Sequence, residues 1–217
     1  MTRRIRVALI NPNASEFMTQ QMLDTLQRSF GDRAEITGTT NTGGPASIQG
    51  PEDVAACLGG VRSAYGRAVA QGAEVAIIGC FDDTGVAELR ARGPIPVVGL
   101  GEAACTAASR AAHSFVVVTT LAVSIPEITR NIGSAGLSAH CAAVIASGVP
   151  VLELGSSVAR IDAAIAQALK DHPSAAVVLG CSGMTAIVSQ LAPTDGSPVI
   201  DPVQAAGEMA VAAVRVG

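Results

Sequence analysis

An internal repeat is the feature that most limits what this chain can fold into. Residues 75–80 read Val-Ala-Ile-Ile-Gly-Cys, and residues 176–181, which lie 101 positions later, read Ala-Val-Val-Leu-Gly-Cys. A second pair follows at almost the same spacing, because Pro-Val-Val-Gly at 96–99 matches Pro-Val-Ile-Asp at 198–201. A single Gly-Cys after an apolar run arises easily by chance, whereas two collinear matches favour an α/β unit that occurs twice.

The pattern around the repeat predicts the fold class. Short β-branched runs alternate with Ala-rich amphipathic stretches, and runs such as Val75-Ala-Ile-Ile are apolar on both faces, as in parallel strands covered by helices. We therefore predict an α/β fold with two similar lobes, each with a four-stranded parallel sheet, related by a pseudo-twofold axis. The lobes are predicted at residues 1–113 and 114–217, with an active site in the cleft between them. The C-terminal helix is free to cross over to the first lobe.

Composition excludes several classes of protein. Hydrophobic residues make up 49% of the chain and charged residues 15%, so the chain is not intrinsically disordered. Its formal net charge is −4, and it has no cluster of Lys and Arg and no Trp, so we expect no nucleic-acid partner. Charge is scarce beside the roughly 25% of an average domain, which predicts an apolar surface and a homo-oligomer.

The chain shows no sign of a membrane segment or an export signal. No apolar run approaches the ~20 residues of a membrane span, and the N-terminus has no signal-peptide pattern. We therefore expect a cytoplasmic protein without a membrane partner, whose five cysteines stay reduced. Cys57 and Cys105 lie in helical contexts and Cys141 in a strand, where a small buried side chain is the usual role of cysteine.

The predicted strand ends bring polar groups together. In open α/β sheets the ligand crevice lies beyond the carboxyl ends of the strands. We expect the cysteines at two of these ends, Cys80 and Cys181, to lie immediately before short helices, whose dipoles and backbone N–H groups lower the thiol pKa. Asp82 and Asp83 oppose that effect at Cys80, so the sequence leaves the net pKa of this thiol open.

Two thiols at equivalent positions suit one kind of reaction. Inverting a carbon centre by proton transfer requires a base on one face and an acid on the other, and the two roles exchange for the opposite enantiomer. A pseudo-twofold fold supplies such like groups from opposite sides of a cleft, here Cys80 and Cys181. The groups expected to stabilise the enolate oxygen are backbone N–H groups at helix starts and the side chains of Asn13, Thr119, Thr120 and Ser182.

Other motifs are weaker. Gly99-Leu-Gly101-Glu-Ala-Ala104 fits the G-x-G-x-x-A pattern of dinucleotide sites. However, it opens the fourth βα unit rather than the first, and the next strand ends in Thr119-Thr120 without an acidic residue for a ribose. The three histidines, His113, His140 and His172, have no metal-ligand spacing. We therefore expect no cofactor and no metal.

Several segments together resemble one known family. They are Ile10-Asn-Pro-Asn13, Gly79-Cys-Phe-Asp-Asp83, Arg90, Pro96-Val-Val-Gly, Glu102-Ala, Thr119-Thr120, Leu179-Gly-Cys-Ser-Gly-Met184 and Pro198-Val-Ile-Asp201. These segments resemble the Asp/Glu/hydantoin racemase family, and most closely its hydantoin and allantoin racemase branch. The likeness covers essentially the whole chain, and the paired cysteine motifs are its most specific part.

The resemblance implies a fold, an activity and a site. It implies two Rossmann-like lobes and a cofactor-independent racemase of 5-monosubstituted hydantoins or allantoin. Cys80 and Cys181 are the implied catalytic pair. The implied substrate-binding residues come from the turn after the first strand, the loop at 45–48, the residues after each cysteine and the Thr-Thr pair: Asn11, Asn13, Ser47, Phe81, Asp82, Thr119, Thr120, Ser182 and Gly183.

Small sequence differences separate this chain from related branches, and three alternative functions stay open. Glutamate and aspartate racemases follow their first cysteine with Asn-Thr, where this chain has Phe81-Asp82, and arylmalonate decarboxylases lack the first cysteine that this chain keeps. An amino-acid racemase or a maleate-type cis–trans isomerase of the same superfamily is one reading of the cysteine pair. A non-catalytic small-molecule binding protein is another, although it would have no use for matched thiols.

Overall fold

The structure is a computed structural model that describes residues 3–191 and 196–215. The outermost residues of the two predicted lobes, 1–2 and 216–217, lie outside the described residues. Within the described part of the chain, no helix is both long and apolar enough to cross a membrane.

Eight strands form two parallel sheets of the same design. The strands of the first sheet are β1 (Ile5–Asn11), β2 (Ala34–Thr40), β3 (Val75–Ile78) and β4 (Val97–Gly99). Those of the second are β5 (Phe115–Thr119), β6 (Cys141–Ala146), β7 (Ala176–Leu179) and β8 (Val199–Ile200). The spatial orders are β2-β1-β3-β4 and β6-β5-β7-β8, with every pair parallel, so the second sheet repeats the first. This confirms the predicted α/β fold with two four-stranded sheets.

Helices connect these strands and cover both faces of the sheets. They are α1 (Glu16–Phe30), α2 (Pro51–Ala70), α3 (Val86–Arg92), α4 (Leu100–Ala111), α5 (Ile125–Ser134), α6 (Val158–Asp171) and α7 (Pro202–Arg215). Short 3₁₀ turns occupy Ala122–Ser124, Val151–Ser156, Ser182–Ala186 and Val188–Gln190.

Local sequence explains why α1 begins where it does and which face it buries. Ser15 precedes the helix, and its hydroxyl accepts a hydrogen bond from the backbone N–H of Met18, which satisfies a donor that the helix itself leaves free. Met18, Met22, Leu26 and Phe30 follow at intervals of four and are all buried. This stripe packs the helix against the protein interior and places its N-terminus at the carboxyl end of β1.

Two helices exchange sheets and thereby join the lobes. Helix α4 follows β4 of the first sheet but contacts β7 and β8 of the second, while α7 follows β8 and contacts β3 and β4 of the first. One continuous apolar core therefore contains residues of both sheets, among them Val75 and Val178. Because each helix crosses in the same way, the carboxyl ends of both sheets face a common space.

Candidate active site

One cavity lies at the carboxyl ends of both sheets. Eight of the eleven site residues predicted from the sequence line it, and they come from both lobes: Asn13, Cys80, Phe81, Asp82, Thr119, Thr120, Cys181 and Ser182. The structure therefore brings the two repeat-equivalent cysteines to the same space. All five cysteines of the chain are free thiols.

The other three predicted residues, Asn11, Ser47 and Gly183, are not part of the cavity lining. Asn11 is fully buried, and its amide donates to the Asn13 side-chain oxygen at 2.9 Å and to the Thr19 hydroxyl at 3.0 Å, so that it holds the turn carrying Asn13. Ser47 is buried beside the lining residue Ile48. Gly183 lies in the turn after Cys181.

Three side chains of the lining were missed by the sequence reasoning, those of Met18, Ser124 and Val151. Of the other lining residues, Ile48 lies in the loop at 45–48 that the family resemblance implied, and Gly79 and Gly180 precede the two cysteines. Met18 belongs to the apolar stripe of α1, and Val151 begins a short 3₁₀ turn, so their sequence context is that of ordinary core residues. Ser124 had a usable signal, since it follows the Thr119-Thr120 strand end by a few positions. Its hydroxyl donates to the Asp82 carboxylate at 3.4 Å.

The environment of Cys80 raises the pKa that the sequence left open. Five residues form a turn between Cys80 and the start of α3 at Val86, so the thiol does not lie directly at a helix N-terminus. Burial raises the pKa of Cys80 well above its ordinary value, and the charge of Asp82 raises it further. The Thr84 hydroxyl, which donates to the Cys80 sulfur at 3.7 Å, lowers it only in part. The expectation that Cys80 immediately precedes a helix is therefore wrong.

The same prediction is wrong at Cys181, for a related reason. The predicted helix after Cys181 is replaced by the 3₁₀ turns Ser182–Ala186 and Val188–Gln190. Gly183 and the β-branched residues near it favour a regular helix only weakly. Burial raises the pKa of Cys181 to about 11, against the opposing effect of the backbone N–H groups of Gly183 and Met184.

Asp82 supplies the cavity with its carboxylate. The side chain is buried, and burial raises its pKa to about 6, with the charge of Glu127 acting in the same direction and the Ser124 hydroxyl against it. The backbone oxygen of Asp82 accepts a hydrogen bond from the Asn131 amide at 2.9 Å, which ties this loop to α5. No Lys or Arg is among the described residues that line the cavity.

Two hydroxyls are available to a ligand. Thr119 already donates to the backbone oxygen of Gly180 at 3.1 Å, which ties β5 to β7. Thr120 and Ser182 line the cavity, and their hydroxyls have no acceptor among the described residues. The described residues contain no group of three or more His, Cys, Asp or Glu side chains placed to hold a metal ion.

Comparison with known sequences decides the family. The family model described as Asp/Glu/Hydantoin racemase matches residues 7–210. The hydantoin racemase of Rhizobium meliloti is 33% identical over 98% of this chain and 90% of its own length, and that of Paenarthrobacter aurescens is 29% identical over 98% and 92%. The chain belongs to the Asp/Glu/hydantoin racemase family. The resemblance inferred from the paired Gly-Cys motifs is thereby confirmed.

Solved structures agree with this racemase family. The allantoin racemase from Klebsiella pneumoniae superimposes with a TM-score of 0.92 at 34% identity, covering 98% of this chain and 89% of that one. The allantoin racemase from Pseudomonas fluorescens gives a TM-score of 0.89 at 30% identity, with 98% and 92% covered. The glutamate racemase from Thermus thermophilus, at 18% identity and a TM-score of 0.66 over 98% of this chain and 81% of that one, shares the fold.

Proposed function

We propose that this protein racemises 5-monosubstituted hydantoins or allantoin by transferring protons to and from Cys80 and Cys181, without a cofactor. The observation that carries the proposal is the position of the two thiols. They occupy equivalent places in the repeat, and both line the cavity at the carboxyl ends of the two sheets. The similarity to proteins named hydantoin and allantoin racemase over nearly the whole chain supports the substrate class.

The proposed reaction is a 1,1-proton transfer at the ring carbon beside the carbonyl. One thiolate removes the C5 proton, and the electron pair of that C–H bond moves into a planar enolate. The facing thiol then donates its proton to the opposite face of the carbon, which inverts the centre and leaves the enzyme with its thiolate on the other cysteine. The hydroxyls of Thr120 and Ser182, for which the described part of the chain offers no acceptor, are placed to donate to the enolate oxygen.

The charges at the cavity favour a neutral ring over a dicarboxylic amino acid. Asp82 contributes a carboxylate to the lining, and no Lys or Arg among the described lining residues offsets it. An anionic substrate would meet repulsion in a buried site, where charges interact strongly. A hydantoin ring is neutral and carries N–H groups that a carboxylate accepts, so we assign Asp82 to the binding of a ring N–H.

A polarimetric screen without added cofactor tests this function. The panel contains enantiopure allantoin, several 5-alkylhydantoins, aspartate and glutamate. We expect optical rotation to decay to zero for at least one ring substrate while chromatography shows that none is consumed, and the rate should survive dialysis against a chelator. Racemisation of the amino acids alone would identify the alternative branch, and inactivity on the whole panel would contradict the proposal.

Alkylation separates the racemase from a non-catalytic binding protein. We expect iodoacetamide to abolish racemisation, with protection by substrate and with Cys80 and Cys181 as the labelled residues. A Cys141→Ser variant is the matched control, since Cys141 lies on the edge strand β6 and outside the cavity lining. Ligand binding that survives complete alkylation of both cavity cysteines would favour the binding protein.

The proposal keeps three expectations from the sequence. The lobes are assigned to residues 1–113 and 114–217, which is supported by the change of sheet between the end of α4 at Ala111 and the start of β5 at Phe115. The protein is proposed to be a homo-oligomer, which its low content of charge supports, and to be cytoplasmic, as expected from an N-terminus without a signal-peptide pattern. Light scattering coupled to gel filtration measures the oligomeric state, and a monomer at working concentration would contradict it.

A further inference from the structure

We propose that Asp83 is the positioning residue of Cys80, because its carboxylate anchors the loop of residues 80–85, the Cys80 loop, on the N-terminus of α4. The effect on turnover rests on the proposed function. The anchor itself rests on contacts that are independent of any reaction.

Helix α4 has no cap of its own. It begins directly after β4, and the residue before it, Gly99, has no side chain to accept hydrogen bonds from the free N–H groups of the first turn. The Asp83 carboxylate takes that place. Its two oxygens accept from the backbone N–H groups of Gly101 at 2.8 Å and Glu102 at 2.9 Å. Burial raises the pKa of this carboxyl to about 7 against the effect of these two hydrogen bonds, which are charge-assisted in the ionised form and then about twice as strong as neutral ones.

The two glycines at the start of α4 make this approach possible. A Cβ on Gly99 would lie 2.2 Å from an oxygen of the Asp83 carboxylate, and a Cβ on Gly101 would lie 2.3 Å from the backbone oxygen of Phe81. The G-x-G-x-x-A pattern is thereby explained without a dinucleotide. The helix N-terminus, a natural site for an anion, is filled by a carboxylate of the same chain.

The second half of the molecule also joins its cysteine loop to a helix N-terminus through a carboxylate, but the carboxylate comes from the helix side. Asp201, at the position equivalent to Gly99, caps α7 by accepting from the N–H of Val203 at 2.8 Å. Its other oxygen accepts from the Thr185 hydroxyl at 2.5 Å, which anchors the loop of residues 181–186, the Cys181 loop. In the first half the capping carboxylate, Asp83, thus belongs to the cysteine loop. In the second half the capping carboxylate, Asp201, belongs to the residue that precedes the helix.

Because of this difference, Thr84 does not hydrogen-bond to a capping carboxylate as Thr185 does. Thr84 is equivalent to Thr185, since each follows its cysteine by four residues. Because Asp83 already anchors the Cys80 loop, the Thr84 hydroxyl is directed at the Cys80 sulfur instead. Asp83 itself has a φ of +50°, a left-handed conformation that costs free energy for a residue with a side chain. Loss of its two hydrogen bonds would therefore let the loop relax and move both Thr84 and Cys80.

The first test compares Asp83→Asn with Thr185→Val, which loosens the anchor on the opposite side. For Asp83→Asn we expect racemisation in both directions to fall by about 100-fold, the effect of a displacement near 1 Å. Solvent-deuterium exchange without inversion should fall only for the enantiomer whose proton faces Cys80, and Thr185→Val should show the mirror-image preference. The proposal would be overturned if deuterium exchange fell equally for both enantiomers, or if Asp83→Asn racemised as fast as the wild type.

The second test needs no activity and separates this proposal from the function. Gly99→Asp alone should lower the melting temperature, because the new side chain meets the Asp83 carboxylate. In an Asp83→Ala background the same substitution should raise it, because the backbone at residue 99 is extended (φ −93°, ψ 146°) and the introduced carboxylate can cap α4 as Asp201 caps α7. A decrease of the same size in both backgrounds would refute the anchor, whatever the substrate of the enzyme proves to be.

Discussion

Gly-Cys ends both β3 and β7, yet the two loops that follow differ in charge. The Cys80 loop carries two carboxylates, of which Asp82 faces the cavity and raises the pKa of the neighbouring thiol. The Cys181 loop carries none, and its backbone N–H groups lower the pKa of the thiol that burial raises. The charge of Asp82 raises the pKa of both thiols. The comparison teaches that a repeat places two like groups at one cavity while the loops that carry them differ in charge.

Burial gives the two thiols the same resting state in the proposed reaction. It raises the pKa of Cys181 to about 11 and that of Cys80 well above its ordinary value. Both groups are therefore mainly thiols at neutral pH, and the proposed reaction uses the small fraction of the enzyme in which one of them is a thiolate. That fraction grows as the pH rises, so we expect racemisation to become faster above neutral pH.

The largest effect should come from replacing either thiol by a hydroxyl, which is a far weaker acid and base. Cys80→Ser and Cys181→Ser should each lower racemisation in both directions by at least several hundredfold, which corresponds to about 3–4 kcal/mol of barrier. Each variant should retain deuterium exchange for one enantiomer only, and the two variants should retain opposite ones. NMR in deuterated buffer measures this exchange.

A single active thiol would break the comparison outright. If both serine variants exchanged the same enantiomer, or if one kept full racemase activity, the symmetric pair would be wrong. Cys141→Ser serves as the control here as well, because it removes a thiol outside the cavity lining.

Removing the cavity carboxylate should make the first loop resemble the second. Burial raises the folded-state pKa of Asp82 to about 6, from an unfolded value near 4. Its contribution to stability is therefore fully present below pH ~4 and is lost as the pH rises through 6. Relative to the wild type, Asp82→Asn should gain about 1–3 kcal/mol of unfolding free energy between pH ~4 and ~8.

Urea unfolding of the two proteins across this pH range measures the difference. Asp24→Asn, at an exposed position on α1 outside the cavity lining, is the matched control for the loss of a carboxylate. A constant difference for Asp82→Asn would mean that its carboxylate titrates as an ordinary surface group.

The pH dependence of cysteine labelling tests the raised pKa values directly. Only the thiolate is alkylated, so labelling of Cys80 and Cys181 by iodoacetamide should be slow at neutral pH and should keep accelerating as the pH rises past the ordinary thiol pKa of about 8.5. Peptide mass spectrometry over time gives the individual rates. A labelling rate that levels off near the ordinary thiol pKa at either cysteine would contradict the raised pKa there.

The smallest effect should come from the hydroxyl that only the first loop directs at its cysteine. Thr84→Val removes one hydrogen bond to the Cys80 sulfur, and a typical net value of about 1 kcal/mol predicts a loss of roughly fivefold in racemisation. Thr84→Ser keeps the hydroxyl and should retain most of the rate. Equal losses in the two variants would show that Thr84 acts through packing rather than through its hydroxyl.

Much of the fold was predictable because it follows from local patterns. The two four-stranded parallel sheets agree with the sequence prediction, since the apolar periodicity that marks strands and helices acts over a few positions. The helix predicted after Cys181 failed because its preference is weak and the surrounding contacts prevail. Met18 and Val151 escaped detection because an apolar side chain at a cavity has the same sequence context as one in a core.

The sequence by itself determined the two α/β units, the equivalent positions of Cys80 and Cys181, and the family. Each of these depends on residue types at fixed spacing along the chain, which the sequence records directly. Only the tertiary structure decided the acidity of the thiols and the function of the G-x-G-x-x-A pattern. A pKa depends on burial and on charges that the fold brings near, and the Asp83 carboxylate reaches α4 only after the chain has folded back between them.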